Sequence, residues 1–172
     1  MAAAILAVLA LAAPGLEAFQ AELAASDSAT AVLQRLCDAR APGQTIIAAV
    51  LPTQADPAAT AAARRDLQLR PWAPVGYRRV ELSCAGVVLS RAENWYAPGR
   101  LTPAMNRALE TTPTPFGVVA RPLDYRRRPL ASEAPASGQG VLRNTAILVR
   151  PDGKPISKVV ETYSDQVLSP VR

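Results

Sequence analysis

A chain of 172 residues is long enough for one domain with a sizeable core. It has no histidine and only two cysteines, which excludes Ser-His-Asp and Cys-His catalysis, histidine metal sites and a cysteine zinc cluster. The formal charge of +5 suits an anionic partner, but 5% aromatic residues argue against a base-stacking surface, so a small anion or plain solubility explains the charge better than nucleic acid.

The chain opens with an apolar run, MAAAILAVLALAAP, followed by Leu16-Glu17-Ala18, a small-residue cleavage signal. Residues 1–18 therefore read as a secretory signal peptide, with the remaining domain over 19–172. No Lys or Arg precedes the run, and it is too short to span a bilayer comfortably. The alternative is a buried N-terminal helix or a misassigned start codon. Cleavage predicts a periplasmic or secreted protein without stable membrane insertion; retention predicts a cytoplasmic one. In an oxidising compartment Cys37 and Cys84 form one disulfide; otherwise they are two buried thiols, and their spacing leaves both open.

SDSATAVLQRLCDAR reads as a helix with a Ser or Asp cap and with Val32, Leu33, Leu36 and Cys37 on one face. TIIAAVL is strand-like and ends at Pro52. Asp56 as cap and Pro57 at the first helical position start an alanine-rich helix. YRRVELSC and VVLSRAENWY flank Ala85-Gly86 as a hairpin. LTPAMNRALETT is a short helix capped by Thr102. TPTPFGVVARPL is expected to lead from a proline-rich turn into a strand, and RRRPLASEAPASGQG to be a flexible surface connection. VLRNTAILV and ISKVVETY close the chain as a hairpin around Asp152-Gly153. Paired strands with helices grouped between them imply an α+β domain on an antiparallel sheet.

Two charged residues stand out in these strands. Alternation puts Arg79 with Tyr77, Glu81 and Ser83, opposite the apolar Val80, Leu82 and Cys84, which predicts an exposed arginine. Glu161 shares its face with Ser157, Val159 and Tyr163, so it is either solvated or held in a pocket.

The order of these segments is informative. ATAVLQRL, YRRVEL, AENWYAPGRLTPAMNRAL, TPTPFGVV and GKPISKVVETYSDQVL follow one another as in the chorismate pyruvate-lyase family. From about Ala24 to Leu168 the chain resembles that family, above all its mycobacterial-type branch; the segment from Arg121 to Gly140 has little likeness to it. The resemblance implies a six-stranded antiparallel sheet with helical flaps over a buried ligand site. It implies that Arg79 grips a ring carboxylate and that Glu161 is the catalytic acid at the opposite end of the ring. Phe116 and Gly117 would add backbone N–H groups, and Arg143 a further cation. No metal or organic cofactor is implied.

Two readings of function follow. One is elimination of pyruvate from chorismate to give 4-hydroxybenzoate. The other is an exported, non-catalytic binding protein for a small aromatic carboxylic acid, since effector-binding domains of some transcription regulators are similar to this fold. A structural envelope protein with a vestigial pocket is a third, blander option. The expected partner is a small anionic aromatic or cyclohexadiene carboxylate.

Overall fold

A computed structural model of the chain describes residues 15–169 and contains six strands, the inner ones rich in β-branched and aromatic residues. The apolar run of the expected leader, residues 1–14, lies outside the described residues. The strands are β1 (Ile47–Leu51), β2 (Gly76–Cys84), β3 (Val87–Tyr96), β4 (Arg126–Glu133), β5 (Leu142–Val149) and β6 (Pro155–Tyr163). They form one antiparallel sheet in the order β1-β2-β3-β6-β5-β4. The expected α+β class and six-stranded sheet are therefore present.

Among the described residues the five α-helices are α1 (Leu16–Ala24), α2 (Ala29–Arg40), α3 (Pro57–Asp66), α4 (Pro103–Thr111) and α5 (Phe116–Val119). Three caps are the ones read from sequence: Ser28 accepts from the Ala31 N–H, Asp56 from Ala59 and Thr102 from Met105. Between β2 and β3, Ala85 and Gly86 both adopt positive φ (47° and 82°), the backbone that a tight two-residue hairpin requires.

Four helices cover one face of the sheet, called here the helical face. Phe19 and Leu23 of α1 and Val32, Leu33 and Cys37 of α2 bury against Val80, Leu82 and Tyr163. Leu109 of α4 and Phe116 of α5 bury against Tyr96, Leu148 and Val159. Helix α3 alone packs on the outer face, where Ala63 and Leu67 meet Trp95 and Val160. Its alanine-rich side permits close approach, and Lys158 on β6 pins it through Asp66 at 2.6 Å. Cys37 and Cys84 are joined by a disulfide that ties α2 to the end of β2.

Two segments differ from expectation. TPTPFGVVARPL forms α5 and a 3-10 turn (Arg121–Leu123), not a strand, because Pro115 sets the first turn and Phe116 is drawn into the core. RRRPLASE forms β4, not a loose connection. As an edge strand with one mostly exposed surface, a proline and a register shift at Pro129/Ala131, it lacks the apolar alternation that reveals inner strands.

Candidate functional site

On the helical face, neighbouring strands bring together residues far apart in sequence. Glu161 lies opposite Ala92 of β3 and Asn144 of β5; Arg127 of β4 lies opposite Leu148 of β5. Pleating turns all of these toward the helices. The Arg127 guanidinium reaches across β5 to form an ion pair with Glu161, and both side chains are nearly excluded from solvent, at 7% and 10% exposure. The Tyr163 hydroxyl donates to the same Glu161 oxygen, Oε2, at 3.0 Å.

Arg127 and Glu161 line a small cavity between the sheet, the start of α2 and α5. Asn94, Tyr125, Phe116, Gly117, Ser28 and Thr30 complete the wall. A methyl group at Gly117 would come to 3.0 Å from the Tyr125 hydroxyl and 3.1 Å from Thr30 Oγ1, so those side chains would have to give by a few tenths of an ångström. The cavity measures about 30 Å³, room for a water or two. A benzene-sized guest needs on the order of 150 Å³. A second cavity of about 80 Å³, lined by Gln20, Leu23, Asn144 and Thr145, lies against Arg127 as well. The Arg127 side chain thus borders both, and the Asn144 Oδ1 atom beside it is buried without a donor.

Arg78 is the other buried cation on this face. It is 4% exposed, and its two terminal nitrogens donate to the carbonyls of Thr114 (2.8 Å) and Thr112 (2.9 Å) before α5. Its Nε–H has no acceptor, and it has no acidic partner among the described residues. Burial lowers the affinity of Arg78 for its proton, opposed by Tyr96. For Arg127 burial acts in the same direction, but Glu161, Tyr163 and Tyr125 outweigh it, so the guanidinium holds its proton more tightly than usual. The Tyr163 hydroxyl is pushed well above its ordinary range, first by burial and then by Glu161.

Of the site residues expected from sequence, Glu161, Phe116 and Gly117 come together on this cavity. Arg79 and Arg143 do not join them. In register Arg79 lies opposite Glu93 of β3 and Arg143 opposite Thr162 of β6, so both project from the outer face and line a separate cleft. The expectation that Arg79 and Glu161 confront each other is corrected by the pleat: with Val80 and Leu82 turned to the core, Arg79 must point away from it. The cation that meets Glu161 is Arg127, hidden in sequence within the Arg126-Arg127-Arg128 run. That run is the one stretch of three consecutive basic residues in the chain, and with no apolar residue inside it no pattern marks its middle member as buried.

No family model matches the chain. It is 35% identical over 178 residues to the uncharacterized protein y4mC of Sinorhizobium fredii (strain NBRC 101917 / NGR234), covering 89% of this chain and 75% of that protein. Among solved structures it is similar to PhnF from Mycobacterium smegmatis, with a TM-score of 0.57 and 14% identity over 84% of this chain and 66% of that one. It therefore spans about two thirds of PhnF. The isolated effector domain of PhnF gives a TM-score of 0.57 and 14% identity, with 81% of this chain and 90% of the domain covered. A Streptomyces coelicolor chain assigned as a transcriptional regulator gives 0.50 and 15%, over 73% and 91%. At such identities the likeness is one of fold, and that fold is chorismate lyase-like.

Proposed function

The chain belongs to the family of y4mC, and we propose that it is a binding domain for a small ring carboxylate, seated between the sheet and α5. One observation carries this reading. Beneath the helices lie two buried guanidiniums, Arg78 and Arg127, and one buried carboxylate, Glu161. An unbalanced buried charge is costly, on the order of several kcal/mol per ion. A monoanionic ligand would balance it, and guanidinium forks match carboxylates well.

In the closed form the space is too small for a ring, so binding requires Arg127 to swing from Glu161 and join the two cavities that it borders. The ligand carboxylate then takes up a guanidinium. Tyr125, Asn94 and the Ser28 and Thr30 hydroxyls are placed to meet its polar substituents. The fold shared with the PhnF effector domain is consistent with binding without turnover.

A second reading, the lyase, is favoured by Glu161 standing beside Phe116 and Gly117 on an enclosed wall. There Glu161 would pass a proton to the departing ether oxygen as its bond to the ring carbon breaks, the neighbouring ring carbon would lose its hydrogen as a proton, and pyruvate would leave as its enol while the ring becomes aromatic. One vessel separates the two. The protein is titrated calorimetrically with 4-hydroxybenzoate, then mixed with chorismate while aromatic absorbance is followed. Binding without product supports the binding domain, product above the uncatalysed rate supports the lyase, and neither result rejects the site. The Cys37–Cys84 disulfide supports residence in an oxidising compartment, as the leader-like run implies.

A further inference from the structure

The outer face holds a cleft of about 610 Å³, within the range of small-molecule sites and far larger than the cavity under the helices. Arg79 of β2, Arg91 of β3 and Arg143 of β5 line it, with Thr162, Glu93 and Glu133. The segment from Ala134 to Gln139, which joins β4 to β5, forms one wall.

The register fixes how these groups face one another. Arg91 and Arg143 are both direct partners of Thr162, one on each side. Strands are spaced by about 4.8 Å, so the two arginines start roughly 10 Å apart with the Thr162 hydroxyl between them. Arg79 lies one strand further along the sheet from Arg91, opposite Glu93. Glu93 accepts the Tyr77 hydroxyl at 2.7 Å, and Arg79 makes neither an ion pair nor a side-chain hydrogen bond among the described residues.

The other two arginines have exchangeable partners. Arg91 meets Glu81 at 2.8 Å and Arg143 meets Glu133 at 3.0 Å, with the arginines 55% and 43% exposed. Pairs as wet as these hold their partners weakly, and a more highly charged anion competes for the guanidiniums. A single carboxylate is saturated by one guanidinium fork, whereas a phosphate monoester offers three oxygens and nearly two charges. Three forks rising from three strands suit the second geometry. The remaining volume, beside Val160, Ala134, Pro135 and Ala136, accommodates an organic body.

We propose that this outer cleft is a second binding site, specific for a small phosphate monoester, with Arg79 as the resident cation and Arg91 and Arg143 recruited from Glu81 and Glu133. It is separate from the carboxylate site proposed under the helices, and either stands without the other.

The test uses phenyl phosphate and inorganic phosphate as probes, at low salt, with calorimetry and the arginine Nε–H resonances as readouts. The expected result is saturable binding that shifts the signals of Arg79, Arg91 and Arg143. Arg79→Ala should weaken phenyl phosphate at least tenfold and Arg79→Lys several-fold, while Arg35→Ala, an equal charge change on α2, should leave it unchanged. Arg79 is half-buried and Arg35 exposed, so these variants should fold, as the far-ultraviolet spectrum will verify. Absence of saturable binding, equal loss in Arg35→Ala and Arg79→Ala, or no loss in Arg79→Ala would each overturn the proposal. Tighter binding of inorganic phosphate than of phenyl phosphate would remove the organic-body part of it.

Discussion

Arg127 and Glu161 stand on strands that are not neighbours, and their side chains meet across β5 out of contact with bulk water. Removing one member strands the other. Glu161→Leu should therefore destabilise the fold by about 3–5 kcal/mol, whereas the double change Arg127→Met/Glu161→Leu should recover most of that loss. Urea unfolding of both singles and the double measures the coupling. Additive losses would mean that the two groups do not sense each other.

The Cys37–Cys84 bond closes a loop of 47 residues that contains α3, β1 and most of β2. Tying that loop restricts the unfolded chain, so reduction or a Cys37→Ser/Cys84→Ser pair should cost about 2–4 kcal/mol. Thermal unfolding with and without reductant reads it directly. An unchanged midpoint would show that the thiols are not bonded in the folded protein.

All four tyrosines, Tyr77, Tyr96, Tyr125 and Tyr163, have hydroxyls held above their ordinary value of 10.0, with burial the largest cause in each. A group whose folded pKa is raised contributes stability that is complete below its unfolded pKa and is lost as pH climbs toward the folded one. Stability should thus be flat up to about pH 9 and fall steeply above about pH 10. Absorbance at the tyrosinate band should rise together with unfolding rather than before it. Early, independent titration of all four phenols would contradict the burial.

Gly140 sits at φ +143°, and a methyl group there would strike the carbonyl oxygen of Tyr163, which already accepts from the Val141 N–H at 2.8 Å. Gly140→Ala combines backbone strain of about 1–3 kcal/mol with overpacking of similar size. Loss of stability should come with a disturbed Tyr163–Glu161 contact, visible in the tyrosine resonances. A neutral outcome would show that the start of β5 can slide.

Much of this architecture was legible because each inner strand has one buried face and one polar face. The alternation around Arg79 assigned it to the wet side, and the structure agrees with that local reading rather than with the role implied by family resemblance. Its neighbour Arg78, one residue earlier, is the buried cation. A one-residue slip inverts every side chain of a strand, so transferring a role by position fails by a whole sheet thickness when it fails at all. Strand β4 was obscure for another reason. At the edge, exposed almost throughout, it has no hydrophobic rhythm, and its register with β5 is decided by tertiary pairing. With β4 unseen, so was Arg127. Helix α5 was missed because a four-residue turn between prolines carries too little periodicity to register.

The strand order β1-β2-β3-β6-β5-β4 divides the sheet into two consecutive three-strand meanders that share a single seam, β3 against β6. The helical-face cavity straddles that seam: Asn94 and Ala92 come from one meander and Arg127 and Glu161 from the other. During synthesis the β2–β3 hairpin can form from local contacts, with β1 joined to it through the connection that holds α3, yet the cavity has no second wall until the last strand emerges and docks. A molecule lodged there would rivet the two halves, and the earliest folding intermediates would be blind to it.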